Sequence, residues 1–184
     1  LPVWIHEAKK AQGGELNRMP ETFDGTLEII LRRELEGFQA LDSCKQLTAG
    51  ASQETYCLTI QGATGAQRLA LRRSPPNIEP ASSVGSISLN TEARLFQLAG
   101  AGAIPGPRVF YVLQPDDGLG TGFIMEWLEG ETLGQRIVRA EQFAKIRPRL
   151  ARECGQILGR IHALDWQAAG LERELPVIDP ATLV

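Results

Sequence analysis

Residues that build metal sites and disulfides are scarce in this chain, which has 3 cysteines and 2 histidines. Cys44, Cys57 and Cys154 are far apart, odd in number and never spaced C-x-x-C, so neither a disulfide framework nor a zinc site is encoded. Reduced, buried thiols are the expectation for such cysteines. His6 and His162 alone make no transition-metal site. No apolar run approaches the ~20 residues that cross a bilayer. Glu7, Lys9 and Lys10 stand where a signal peptide would be apolar. Excess positive charge is lacking as well: the net charge is −3 and the pI near 5.5, with basic residues in pairs rather than in a stripe. Neither nucleic acid nor an anionic membrane surface is therefore an expected partner, no obligate protein partner is evident, and a reducing cytoplasm is the expected compartment. Internal repeats, heptads and low-complexity tracts are also missing.

What remains is a chain of 184 residues, 43% hydrophobic and 22% charged, enough for one domain or two small lobes with a packed core. The stretch 1–25 is polar, contains Gly13-Gly14 and lacks periodicity, so it reads as a poorly ordered arm, with Met19 a candidate start. From Thr26, Leu27, Ile30, Leu31 and Leu35 repeat at helical spacing as far as Gly37. Lys45-Gln-Leu47 leads into a small-residue loop, Thr55–Ile60 reads as a strand, and Arg68–Arg72 as a third after the turn at 62–65. Three strands in succession predict an antiparallel meander. In the third, the period of two puts Ala70 and Arg72 on one face and Leu69, Leu71 and Arg73 on the other. A helix over Asn90–Leu98 follows, capped by Ser88 or Asn90 and carrying Glu92 in its first turns. Strands at Val109–Leu113 and Phe123–Trp127 complete the pattern, separated by the turn Gln114–Gly118.

Beyond Trp127 the periodicity is helical only. A short helix over Thr132–Ala140 precedes a long one from Pro148, where Leu150, Cys154, Ile157, Ile161 and Leu164 form a stripe that needs a partner surface. The stretch Phe123–Glu131 is thus a hinge between a sheet (26–126) and a helical part (127–184). A strand that ends at such a junction offers unpaired backbone N–H and C=O groups to a planar polar ligand.

Six motifs stand in a telling order: Leu47-Thr-Ala-Gly-Ala-Ser-Gln-Glu-Thr-Tyr56, Leu69-Ala-Leu-Arg-Arg73, Glu92-Ala-Arg94, Ile104-Pro-Gly-Pro107, Phe123-Ile-Met-Glu-Trp127 with Gly130, and Leu158-Gly-Arg-Ile-His-Ala-Leu-Asp165. Together they resemble the aminoglycoside phosphotransferase family, close to the kinase-like domains found with acyl-CoA dehydrogenases. The resemblance implies an α+β fold: a protein-kinase-like N-lobe of five antiparallel strands and a helix, a hinge, and the first helices of a C-lobe. It implies transfer of the γ-phosphate of ATP, with Mg²⁺, to a hydroxyl of a small molecule. Gly50, Ala51 and Ser52 would cover the phosphates, although an ordinary hairpin turn would use the same residues, and Gln53 stands where the family usually has Asn. Arg72 would take the place of the strand-three lysine and Glu92 that of its helix partner; a solvated surface pair is the alternative. Met125 would back the adenine pocket, Ala70 would lie against the base, and the backbone of Glu126, Trp127 and Leu128 would read its edge. His162-Ala-Leu-Asp165 imitates a kinase H-R-D triplet, but no Asn follows at the required spacing, and a helix end is the better reading. No catalytic residue and no metal ligand is assigned in the chain. The family's catalytic Asp, its Asn and the metal-binding Asp are expected in sequence beyond Val184, so these residues would form the inactive nucleotide-binding half of an enzyme. The alternative is a nucleotide-binding or interaction module that transfers nothing.

Overall fold

The computed structural model describes residues 22–49, 53–78, 86–178 and 181. Helix α1 (Phe23–Glu34) starts at Thr22, whose hydroxyl accepts the Gly25 N–H at 3.2 Å and satisfies a donor that the first turn leaves free. The expected arm therefore loses its last three positions to helix, and residues 1–21 lie outside the described residues. Leu27, Ile30 and Leu31 form the buried stripe of α1.

Strands β1 (Phe38–Ala49), β2 (Glu54–Gly62) and β3 (Gly65–Ser74) form the expected meander. Strand β1 begins well before Lys45, and three register shifts against β2 disturb the alternation by which a strand is recognised. The sheet order is β1-β2-β3-β5-β4, all antiparallel, with β4 (Val109–Val112) at an edge and β5 (Thr121–Glu126) inserted against β3. Gly120 makes the approach to β5 possible: its φ is +84°, and a Cβ there would run into the Ser74 carbonyl.

Each face of the sheet has its own helix. On one, α1 buries Leu27, Ile30 and Leu31 with Tyr56, Leu58 and Ile60 of β2, Leu69 and Leu71 of β3, and Ile124 of β5. On the other lies α2 (Leu89–Ala101), capped by Ser88, whose Oγ accepts the Thr91 N–H at 3.0 Å. Its Leu89 and Ala93 are buried with Phe123, flanked by Phe96, Val109, Val112 and Met125. An off-sheet latch ties α1 to the β4–β5 turn. Asp117 accepts from Arg33 at 2.9 Å, from the Tyr111 hydroxyl at 2.9 Å and from the Gln114 N–H at 2.7 Å. Burial opposes its charge, but these donors hold the Asp117 carboxyl below the ordinary range.

Past Glu126 come α3 (Gly134–Arg139) and α4 (Arg147–His162), neither of which buries a residue. Of the stripe foreseen on this helix, Cys154 is exposed, Ile161 is 45% exposed and Leu150, Ile157 and Leu164 are only half-buried, so it meets little of the protein. The expectation of buried thiols also fails: Cys154 is exposed and Cys44 and Cys57 half-buried. Among the described residues no helix is long and apolar enough to cross a membrane.

Candidate functional site

Residues paired across antiparallel strands share a face. Ala70 pairs with Cys57 and Met125, and Arg72 with Thr55 and Phe123, so the period of two on β3 delivers Ala70 and Arg72 to the face that α2 covers. Arg72 Nε lies 3.2 Å from Glu92 Oε2. The two groups foreseen as partners thus meet between β3 and α2. Gln53, one residue before β2, adds a partner that sequence reasoning missed: its Oε1 accepts from Arg72 Nη2 at 2.8 Å.

The Arg72–Glu92 contact is an ion pair without an aligned hydrogen bond, because Nε is buried and its N–H is not directed at the carboxylate. A guanidinium has five donors in a planar fork. Among the described residues, Gln53 takes the aligned hydrogen bond of this one. Arg73, one position on, contrasts with it. Its Nε donates to Glu54 at 2.9 Å and its Nη1 to the Leu119 carbonyl at 3.1 Å, and its guanidinium carbon lies 4.3 Å from the centre of the Phe23 ring. Arg73 is spent on structure and 12% exposed, whereas Arg72 has looser partners and is 34% exposed.

The hinge is equally uneven. Glu126 N–H donates to the Arg108 carbonyl at 2.8 Å, so that donor belongs to the sheet. Among the described residues, no backbone–backbone hydrogen bond involves Trp127, Leu128, Glu129 or Gly130. The Trp127 indole braces this open backbone: Nε1–H donates to Glu129 at 2.9 Å, and Arg68 both pairs with Glu129 and lies 5.3 Å above the indole ring. Met125 is half-buried and Ala70 buried behind the hinge. The loop residues Gly50, Ala51 and Ser52 lie outside the described residues, while Ala49 and Glu54 on either side of them are paired in register.

A cation binder needs clustered carboxylate, imidazole or thiolate groups. Among the described residues no group of three or more of these side chains could hold a metal ion. His162 is the last residue of α4, and Asp165 Oδ1 accepts the Ala168 N–H at 2.8 Å, which makes this carboxylate part of a turn.

An antiparallel five-stranded sheet, one helix carrying a glutamate to a β3 cation and a hinge with open backbone is the arrangement of a kinase-like N-lobe. The model of the phosphotransferase enzyme family, APH, matches residues 43–181. The chain belongs to this phosphotransferase family. No curated protein matches it. Among solved structures, a candidate aminoglycoside phosphotransferase from Ralstonia eutropha JMP134 is similar, with a TM-score of 0.56 and 21% identity over 80% of this chain and 40% of that one. Identity at this level speaks to the fold. The present chain spans less than half the length of that phosphotransferase.

Proposed function

We propose that the chain is the nucleotide-binding part of an ATP-dependent phosphotransferase acting on a hydroxyl of a small molecule. The observation that carries this reading is the Arg72–Glu92 pair at 3.2 Å on the α2 face of the sheet, where the Arg72 side chain remains 34% exposed. Phosphate is the ligand for a fork of that kind, since charge-assisted hydrogen bonds to phosphate oxygens are strong and an arginine can give two in parallel. In this reading Glu92 and Gln53 orient the guanidinium towards the phosphates, and Gly50, Ala51 and Ser52 cover them. Ala70 and Met125 bound the adenine ring, while the Glu126 carbonyl accepts from its amino group and the Leu128 N–H donates to a ring nitrogen. Trp127 holds the hinge open through Glu129 and Arg68.

The residues described do not fit Mg²⁺, and no step is assigned to it. These 184 residues contain no His-Gly-Asp triplet, the loop that supplies the acceptor base in the resembling enzymes. Taken alone, then, they bind nucleotide and transfer nothing. An arginine in the lysine position is also compatible with a module that binds without transfer. Titration of the chain with trinitrophenyl-ATP, followed by displacement with ATP and with inorganic triphosphate, tests the proposal. Displacement by ATP in preference to triphosphate is expected, because the hinge reads adenine. Equal displacement would remove the hinge from the site, and no binding at all would remove the nucleotide.

A further inference from the structure

Helix α2 is gripped on two sides. Leu89, Ala93 and Phe96 face the sheet, where they pack with Phe123. Thr91 and Arg94, which the helical period places roughly opposite, face the chain that follows α4. There Arg94 Nη1 pairs with Glu174 Oε1, Arg94 Nη2 donates to the Ala169 carbonyl at 2.8 Å, and the Thr91 hydroxyl donates to Glu174 Oε2 at 3.2 Å. One carboxylate therefore holds two residues of the first turns of α2. The cover is close: Thr91 is 3% exposed although it points away from the sheet, and Leu171 in the covering stretch is 1% exposed. At the far end of α2, Arg160 donates to the Ala103 carbonyl at 3.2 Å. Ile161 and Leu164 share an apolar groove of about 330 Å³ with Leu95, Phe96 and Ala99. Glu92 lies within the turn that Thr91 and Arg94 anchor, so the setting of its carboxylate against Arg72 depends on this grip.

We infer that Glu174, acting through Thr91 and Arg94, is a positioning residue for the nucleotide site, holding α2 where Glu92 meets Arg72. This inference rests on the nucleotide-binding reading for its effect on affinity and on geometry alone for its effect on α2. Hydrogen exchange of the α2 amides and trinitrophenyl-ATP affinity, measured on the 184-residue chain, separate the two. Glu174→Gln is expected to speed exchange in α2 by about three- to five-fold while leaving α1 and β2 unchanged, the range set by one partly exposed ion pair. It is expected to weaken probe binding by about three-fold in the native background and to add nothing to Glu92→Gln, because the route passes through Glu92. The swapped pair Arg94→Glu with Glu174→Arg restores the ion pair but not the bonds to Ala169 and Thr91, and should recover both only in part. Unchanged α2 exchange, a rise spread equally over the sheet, or an undiminished affinity loss in the Glu92→Gln background would overturn the inference. Should the native chain bind no probe, the nucleotide reading falls, and α2 exchange in Glu174→Gln still decides the grip.

Discussion

The two faces of the sheet differ in how tightly each holds its helix and its cation. Against α1, buried side chains from three strands close over Leu27, Ile30 and Leu31, and even the cation on that side, Arg73, is folded into carboxylate, carbonyl and aromatic contacts. Against α2 the buried cluster is Leu89, Ala93 and Phe123, and the cation on that side, Arg72, has looser partners, an ion pair with Glu92 and a hydrogen bond to Gln53. Adjacent arginines on one strand therefore carry opposite duties, decided by strand parity alone. One face supplies stability, and the other, on the proposed function, supplies charge for a ligand.

Emptying the α1 face should have the largest effect. Leu71→Ala removes a fully buried side chain from the centre of that cluster, and a loss of about 2–5 kcal/mol in urea unfolding is expected. Arg73→Met should follow, at about 2–3 kcal/mol, since it strands Glu54 beside a mostly buried site and removes a cation from the face of Phe23. Arg72→Met should cost under about 1 kcal/mol, because a half-open ion pair contributes little to folding. Equal costs for the two arginines would erase the contrast.

Acid sharpens the same contrast through the latch that belongs to the α1 side. The Asp117 carboxyl is held below its ordinary pKa, so its stabilising effect is complete above about pH 4, where the unfolded group titrates, and disappears as the pH falls through the lower folded value. Unfolding followed from pH 5 to pH 2 should show a shallower loss in Asp117→Asn than in the native protein. Smallest is a difference in thiol reactivity. Burial, reinforced by Asp24, pushes the Cys44 thiol up to about 12, whereas Cys154 is exposed on α4. An alkylating reagent at neutral pH should modify Cys154 first and Cys44 only on unfolding; mass spectrometry of the tryptic peptides reads the order.

Much of this architecture was legible because it is local. The period of two on β3 separated Arg72 from Arg73, the helical period placed Glu92, and Gly and Pro marked the turns before β5 and after the hinge. Strand β1 hid its first half because bulges break the alternation that reveals a strand. The cap at Thr22 escapes the apolar repeat, which begins five residues later at Leu27. Gln53 was noted for its position but not as a partner of Arg72. The Arg33–Tyr111–Asp117 latch and the grip of Glu174 on Arg94 join residues about eighty positions apart, and no spacing rule reaches that far. The stripe of α4 is legible as one that needs a partner surface, but no spacing rule says where that surface lies, and among the described residues the helix buries none of its members.

The comparison of the faces is tested most directly by calorimetry of ATP binding to the native chain and to Arg72→Met under conditions where both are folded. The account predicts binding by the native chain and a loss of about ten- to a hundred-fold in the variant, the range for a charge-assisted hydrogen bond to phosphate. Equal affinity in the two proteins, or no heat from the native chain, would contradict it.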